Sequence, residues 1–259
     1  MASAGGAPGR ERPLRIATYN IHRTRGRDGL LDPARTAAVI RLLAADVVAL
    51  QEVEMPPAPS ATTPLLAALG GLGYGMVKGP TLFGAGVDYG NLLLTRLPLM
   101  TATLRDLSHP GREPRQLVDA RLGLTDSAGQ SSGVSLRCLA THLGLDATER
   151  RGQIAALAAQ VDRHLAAGAG PLLLIGDFNE WWHRSRRLEP LDRRLHAVPI
   201  RRTFPARWPL LALDRIWYSR GLELTEVAVP GTSTSREASD HLPLVAEFRI
   251  AETRGAMTE

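Results

Sequence analysis

The sequence predicts an α/β fold in a single domain, and three observations carry that expectation. Short continuous apolar runs, such as LLLI at 172–175, have the pattern of strands covered on both faces. Helical apolar spacing alternates with these runs, so the chain reads strand, helix, strand twice over. At 259 residues the chain can bury one large core, and its length does not demand two.

Residues 1–13, MASAGGAPGRERP, lack the apolar stretch of a secretory signal and read as a disordered leader. The folded domain is expected over 14–251, followed by a disordered tail over 252–259. Residues 14–20 alternate like a strand that ends at Asn20. Asp32 and Pro33 supply an N-cap and an N1 proline, and Thr36, Val39, Ile40 and Leu43 follow at helical spacing, which predicts a helix from Asp32 to about Ala45. Residues 46–51, DVVALQ, read as a buried strand terminating in Glu52. A Pro-rich interruption over 55–64, a short helix over 65–69 and a Gly-rich turn region then lead to a strand over 91–95. Residues 115–124 and 134–141 read as a strand pair around the turn-forming DSAGQSSG, the second strand ending in His142. Over 149–165, Ile154, Leu157, Val161 and Leu165 mark an amphipathic helix. This helix feeds the LLLI strand, which Gly176 is expected to break. Strands over 213–218, 222–229 and 242–250 complete the domain, with Asp214 near the start of the first and Asp240 and His241 just before the last.

The two strand-helix-strand passages echo one another. The first carries Asn20 and Glu52 at its strand ends, 32 residues apart, and the second carries His142 and Asp177, 35 apart. Polar groups at the C-terminal ends of strands sit where α/β proteins place ligands.

Composition bounds the function classes. Hydrophobic residues make up 44% and charged residues 22%, and no apolar run approaches the ~20 residues of a membrane span. Cys138 is the sole cysteine, which excludes an intrachain disulfide and a thiolate metal cluster within one chain and makes cytoplasmic residence the default expectation. The formal charge is +5, and thirty of the thirty-one basic residues are Arg, Lys78 being the exception. Such lopsided usage argues more for a general preference for Arg than for a binding surface. The distribution is more telling: residues 183–207 hold eight Arg against Glu189 and Asp192, a local +6 directly after the GDFN stretch. This segment reads either as a positive rim favouring an anionic substrate or as a solvated Arg-rich loop.

The polar groups at strand ends are Asn20, Glu52, His142, Asp177, Asn179, Asp214, Asp240 and His241. In an extended continuation Asp177 and Asn179 would project to the same side, although GDFN also fits an Asx turn closing the strand. Glu52 with Asn20 suits a hard cation such as Mg²⁺, with Mn²⁺ as a substitute. A zinc cage is disfavoured, since there is neither an H-E-x-x-H helix nor a cysteine set. Two histidines near carboxylates suit hydrolysis of a phosphate ester, one stabilising phosphoryl charge and the other, oriented by an Asp, handling a proton. Taken singly, each of these residues would more often be a cap, a turn or a solvated charge; the argument is their recurrence at six strand ends. His22 shares the parity of Asn20, while Asn91 and Arg115 lie in the middle region within reach of a phosphate or in ordinary loop and surface roles. Trp181, Trp182, Trp208 and Trp217 could stack on a base or enter a lipid surface, with buried packing the commoner use.

Six motifs, TYNIH (18–22), LQEV (50–53), THLGL (141–145), GDFNE (176–180), LDRIWYS (213–219) and SDHLP (239–243), resemble in this order the motif series of the endonuclease/exonuclease/phosphatase family of DNase I-like hydrolases. The match spans about 14–250. The resemblance implies a four-layer α/β sandwich, two packed mixed sheets flanked by helices. It implies Asn20, Glu52 and Asp240 at a metal site, with His142 on the scissile phosphate and Asp177 and Asn179 positioning the attacking water and phosphate. His241 would be the catalytic histidine, paired with Asp214. The wording of TYNI and LQEV departs from the S-W-N-V-N-G and Q-E-T-K of abasic-site endonucleases and is closer to small bacterial members and to the sphingomyelinase and phosphoinositide phosphatase branches. The expected activity is Mg²⁺-dependent hydrolysis of a phosphodiester, in nucleic acid or a phospholipid head group. The alternatives are a phosphomonoesterase of the same fold and a binding module that has lost its chemistry. A serine hydrolase is disfavoured because no G-x-S-x-G elbow is present. Neither a nucleic-acid-binding module nor an amphipathic basic helix is evident, and no protein partner is implied.

Overall fold

The computed structural model describes residues 13–57, 61–84, 86–125, 131–182 and 185–250. The leader expected over 1–13, Pro13 aside, and the tail expected over 252–259 lie outside these residues, as does most of DSAGQSSG.

Two six-stranded sheets form the centre. The first has the order β11-β12-β1-β2-β4-β3, built from β1 (Leu14–Asn20), β2 (Val47–Met55), β3 (Gly75–Phe83), β4 (Asp88–Thr95), β11 (Leu222–Ala228) and β12 (Leu244–Ile250). The second has the order β5-β6-β7-β8-β10-β9, built from β5 (Leu99–Asp106), β6 (Gln116–Thr125), β7 (Ser131–His142), β8 (Leu172–Asp177), β9 (His196–Ala197) and β10 (Asp214–Tyr218). Each sheet has one parallel pair, β1 with β2 and β7 with β8, flanked by antiparallel neighbours. The echo in the sequence is thus an echo in the sheets.

Alternation of side chains accounts for the layers. Leu173 and Ile175 of β8 face the interior shared by the sheets, with Ile16, Val47, Ala49, Leu93, Ile216 and Phe248. Leu172 and Leu174 face outward, against Ile154, Leu157 and Val161 of α3 (Ala147–Ala166). Both faces of β8 are therefore covered, and its sequence shows no polar alternation. On the other side, Ala17 and Tyr19 of β1 pack under Val39, Ile40 and Leu43 of α1 (Pro33–Leu43) and Leu65, Leu66 and Leu69 of α2 (Pro64–Gly71). Helix, sheet, sheet, helix is the expected four-layer sandwich. Two short helices, α4 (Glu189–Asp192) and α5 (Ser233–Ala238), add to the outer layers.

The helix starts follow their caps. Asp32 accepts from Arg35 N–H ahead of Pro33, and Asp146 accepts from the N–H groups of Thr148 and Glu149. Strands β3 and β5 were not expected: glycines and a proline obscure β3, and all eight residues of the edge strand β5 are exposed, which leaves no burial alternation to read. β2 does not stop at Glu52 but runs on to Met55 beyond a register shift between Leu50 and Val53. Nor does Gly176 break β8. It is paired within the sheet, opposite Thr141 and Arg215, at φ 151°, and a Cβ there would lie 1.9 Å from the Thr141 carbonyl oxygen. Glycine is required for the close approach of β7 and β8 just below Asp177.

No helix of the described residues is long and apolar enough to cross a membrane. Gly176→Ala should cost at least about 2 kcal/mol of folding stability, because backbone must move to admit the methyl group. Urea unfolding measures it, and a midpoint equal to that of the parent would contradict this account of the glycine.

Candidate active site

The site is built around the last residue of β1. Asn20 is buried, and its carboxamide nitrogen donates to Glu52 Oε1 and to Asp177 Oδ2, both at 3.1 Å. Its Oδ1 accepts from the His22 main-chain N–H at 3.1 Å, which fixes the orientation of the amide. Since Glu52 belongs to the first sheet and Asp177 to the second, one side chain joins the two sheets. Ser239 Oγ reinforces the joint, donating to the Asn20 carbonyl at 2.8 Å while accepting from His241 N–H at 3.2 Å.

Glu52 occupies the irregularity in β2 with φ 61°, a left-handed backbone unusual for a non-glycine residue. The turn aims its carboxylate at Asn20. Tyr89, near the start of β4, lies close to the same carboxylate; burial and the negative charge of Glu52 both push its phenol upward from the ordinary tyrosine value. Tyr89 was not foreseen, because the start of β4 falls in the stretch that reads as Gly-rich turn.

In the second sheet, His142 stands opposite Asp177 in β7 and β8, and Asp177 stands opposite Asp214 in β8 and β10. Asn179 reaches the same place by a turn instead of an extended continuation: its φ is 48°, and its N–H donates to Asp177 Oδ1 at 2.9 Å. The Asx turn is therefore the reading of GDFN that holds, in place of an extended continuation, and the turn itself brings the two polar groups together. Asn179 Nδ2 donates to the Leu143 carbonyl at 2.8 Å, so the same nitrogen, 3.1 Å from His142 Nε2, must meet a lone pair on that ring. The electrostatics agree. Burial pushes the His142 pKa down to about 3, with Arg115 and His241 adding to the fall against the pull of Asp177, and the imidazole is neutral.

His241 is the opposite case. Its Nδ1 lies 2.9 Å from Asp214 Oδ2 and its Nε2 3.7 Å from Asp177 Oδ2. Burial disfavours the charged ring, but the charge and hydrogen bond of Asp214, with Asp177 and Asp240 beyond, outweigh burial and raise the pKa to about 10. Thr203 Oγ1 donates to the same Asp214 oxygen, and the Phe204 ring packs 4.9 Å from the imidazole. Thr203 and Phe204 precede the LDRIWYS motif and carried no signal of their own.

All eight strand-end residues thus fall in one hydrogen-bonded and charge-coupled cluster. Asp240 is its outermost member, half-buried, with Oδ1 3.9 Å from His22 Nδ1. His22 gets there through a single 3-10 turn (His22–Thr24) and not by strand parity. Asn91 is buried and donates to the Gln116 carbonyl at 3.2 Å, while Arg115 is buried and paired with Glu113 at 2.9 Å. Ligand atoms of Asp177, Asp214 and His241 lie within 4.8 Å of one another, close enough to hold a divalent cation. Of the four tryptophans Trp217 is buried, whereas Trp181, Trp182 and Trp208 are exposed, contrary to the expectation of packing.

With this geometry the comparisons with known proteins agree. A family model described as the endonuclease/exonuclease/phosphatase family matches residues 17–241, and the chain belongs to that family. The chain is 32% identical over 256 residues to the uncharacterized protein YbhP of Escherichia coli K12, a match covering 92% of this chain and 96% of YbhP. Among solved structures, an endonuclease/exonuclease/phosphatase from Beutenbergia cavernae superposes with a TM-score of 0.71 at 24% identity, covering 93% of this chain and 72% of that one. The human Nocturnin catalytic domain superposes with a TM-score of 0.70 at 19% identity, covering 92% and 95%. At these identities the two structures show the shared fold alone.

The ion pair at His241 sets a pH dependence. Its folded pKa lies above the unfolded value of about 6.5, so the stabilisation is fully present below pH 6.5 and is lost as pH rises through about 10. In the metal-free protein the NMR titration of His241 should have its midpoint near 10, and Asp214→Asn should bring it well below that. A midpoint near 6.5 in the parent would refute the assignment of an imidazolium.

Proposed function

We propose that this chain hydrolyses phosphodiesters by attack of water, with a hard divalent cation, Mg²⁺ or Mn²⁺, as cofactor. The observation that carries the reading is the continuous line Glu52, Asn20, Asp177, His241, Asp214, which sets a cluster of oxygen donors beside one charged imidazole. Three carboxylates, of Asp177, Asp214 and Asp240, raise the pKa of a single histidine, Glu52 joins them through Asn20, and Asp214 Oδ1 is buried with no hydrogen-bond partner among the described residues. Such an excess of hard, negative oxygen fits a divalent cation. Glu52 and Asp240 would hold it, with Asn20 organising the pair. When bound, the cation would polarise the phosphoryl oxygens and offset their charge.

The protein's own groups divide the remaining work. Asp177 and the Oδ1 of Asn179 are both acceptors, so together they can orient a water by its two protons, and Asp177 takes one as the oxygen attacks phosphorus. His142 holds Asn179 in place through the Nε2 lone pair and acts as a positioning residue in this scheme. His241, protonated and fixed by Asp214, offers its Nε2–H to a phosphoryl oxygen, where charge builds. It serves as charged stabiliser and proton donor, and the base is Asp177. Phosphomonoester hydrolysis would use the same groups.

The test is hydrolysis of bis-p-nitrophenyl phosphate and of p-nitrophenyl phosphate with Mg²⁺ and with EDTA. The diester should be the better substrate. EDTA should abolish turnover, and Glu52→Ala and His241→Ala should each lower kcat/KM by about 10²–10⁴. Variants as active as the parent, or turnover indifferent to EDTA, would overturn the proposal, and a parent inactive on both esters would favour a binding module.

A further inference from the structure

The loops that carry the candidate site also expose large apolar side chains. Trp181 and Trp182 follow Asn179 after Glu180 alone, and Trp182 is 74% exposed. Leu145, three residues beyond His142, is 71% exposed although its carbonyl is held by Arg150 Nη1 at 2.6 Å. Trp208 and Leu210, 70% and 65% exposed, stand on the loop that leads into Asp214. That loop is fastened to the site: Ala206 N–H donates to the Asp240 carbonyl at 2.7 Å, Leu210 and Leu211 N–H both donate to the Phe204 carbonyl, and Phe204 packs on His241. These side chains are thus held out from an ordered backbone on three separate loops around one mouth. Scattered exposed leucines are ordinary, whereas several large apolar groups gathered at a site mark a surface that meets something apolar.

Charge narrows the choice of partner. Arg201, Arg202 and Arg207 lie on the same loop, are exposed and form no ion pair among the described residues. Some surface arginines elsewhere are paired, as Arg23 is with Glu54 and Arg194 with Asp162, and others, such as Arg41 and Arg220, form no ion pair among the described residues; what sets these three apart is their place on the loop fastened to the site. The partner is therefore anionic as well as apolar. Single-stranded nucleic acid would stack bases on the three tryptophans, but it has no use for the aliphatic tips of Leu145 and Leu210. The boundary between head groups and acyl chains accepts indole rings, aliphatic tips and guanidinium groups together.

We infer that the mouth of the site docks on an anionic lipid surface, with Trp181, Trp182, Leu145, Trp208 and Leu210 entering the head-group layer and Arg201, Arg202 and Arg207 facing its negative charge. This deepens the phosphodiesterase reading, on which it rests for the chemistry, by taking the substrate phosphate from the plane of a membrane.

The experiment is co-sedimentation of the full chain with vesicles of phosphatidylcholine alone and of phosphatidylcholine with 30% phosphatidylglycerol. Binding should be at least about tenfold tighter to the anionic vesicles. Arg201→Gln/Arg202→Gln/Arg207→Gln should weaken it on the order of a hundredfold, and Trp182→Ala/Trp208→Ala/Leu210→Ala by at least about tenfold. Both triple variants should keep the parental rate on soluble bis-p-nitrophenyl phosphate, and brominated acyl chains should quench the parent's tryptophan fluorescence. Equal binding to both vesicle types, parental binding by both variants, or binding of a 20-nucleotide single strand in place of vesicles would overturn the inference. Sedimentation of Glu52→Ala at the parental level separates docking from turnover: it would stand even if the parent proved inactive on every ester.

Discussion

A single carboxamide holds the candidate site together. The Asn20 nitrogen is shared between carboxylates of the two sheets, and without it Glu52 and Asp177 would face one another as like charges. Hydrogen bonds to charged groups are worth about 1.5–3 kcal/mol each, and a neutral donor placed between two anions lowers the cost of keeping both ionised. Asparagine meets the requirement where its neighbours in chemistry do not: aspartate would add a third charge and leucine would leave both carboxylates without the bond. The Ser239 hydroxyl, bonded to the Asn20 carbonyl and to His241 N–H, ties the same point to the segment before β12. The distance between the two halves of the site is therefore fixed by side-chain bonds as well as by sheet packing.

The architecture explains why that joint is available. The parallel pairs β1/β2 and β7/β8 are each crossed over by one helix, and polar side chains extend from the ends of their strands. Asn20 stands opposite Gln51 in one pair and His142 opposite Asp177 in the other. When the sheets pack face to face, both sets of ends emerge at one edge, above the apolar layer of Ile16, Ile175 and Ile216. Water is excluded below that edge, which strengthens each electrostatic interaction at it. The left-handed backbone of Glu52, at the irregularity within β2, and of Asn179, in the turn after β8, departs from extended geometry at two points beside the site.

Much of this was legible before any coordinates. The two-sided burial of β8, the Asp32 cap and the recurrence of polar groups at strand ends are local signals, and the strand over 14–20 was read to the residue. What stayed hidden was tertiary. β5 is an exposed edge with no alternation, β3 is masked by Gly75, Gly79 and Pro80, and Gly176 reads as a breaker although its role is close strand approach. Tyr89 meets Glu52 across β2 and β4, a contact for which no spacing along the chain is diagnostic. The tryptophans were misjudged for a related reason: composition says that indoles are usually covered, and only the placement of their loops shows that three are not.

The two histidines make the point most sharply, for the same side chain sits at comparable burial in both places and takes opposite charge. His142 faces an amide nitrogen that requires its lone pair, with a guanidinium nearby, and Asp177, 3.7 Å away, favours a second ring proton without offsetting burial, which prevails. His241 faces Asp214 and Asp177, with Asp240 adjoining, and their combined field exceeds the same burial cost. Neither outcome depends on the histidine itself. A fold that separates the protonation states of two neighbouring imidazoles by the company each one keeps can hold an asparagine on the lone pair of one and present the charged N–H of the other within one pocket at one pH.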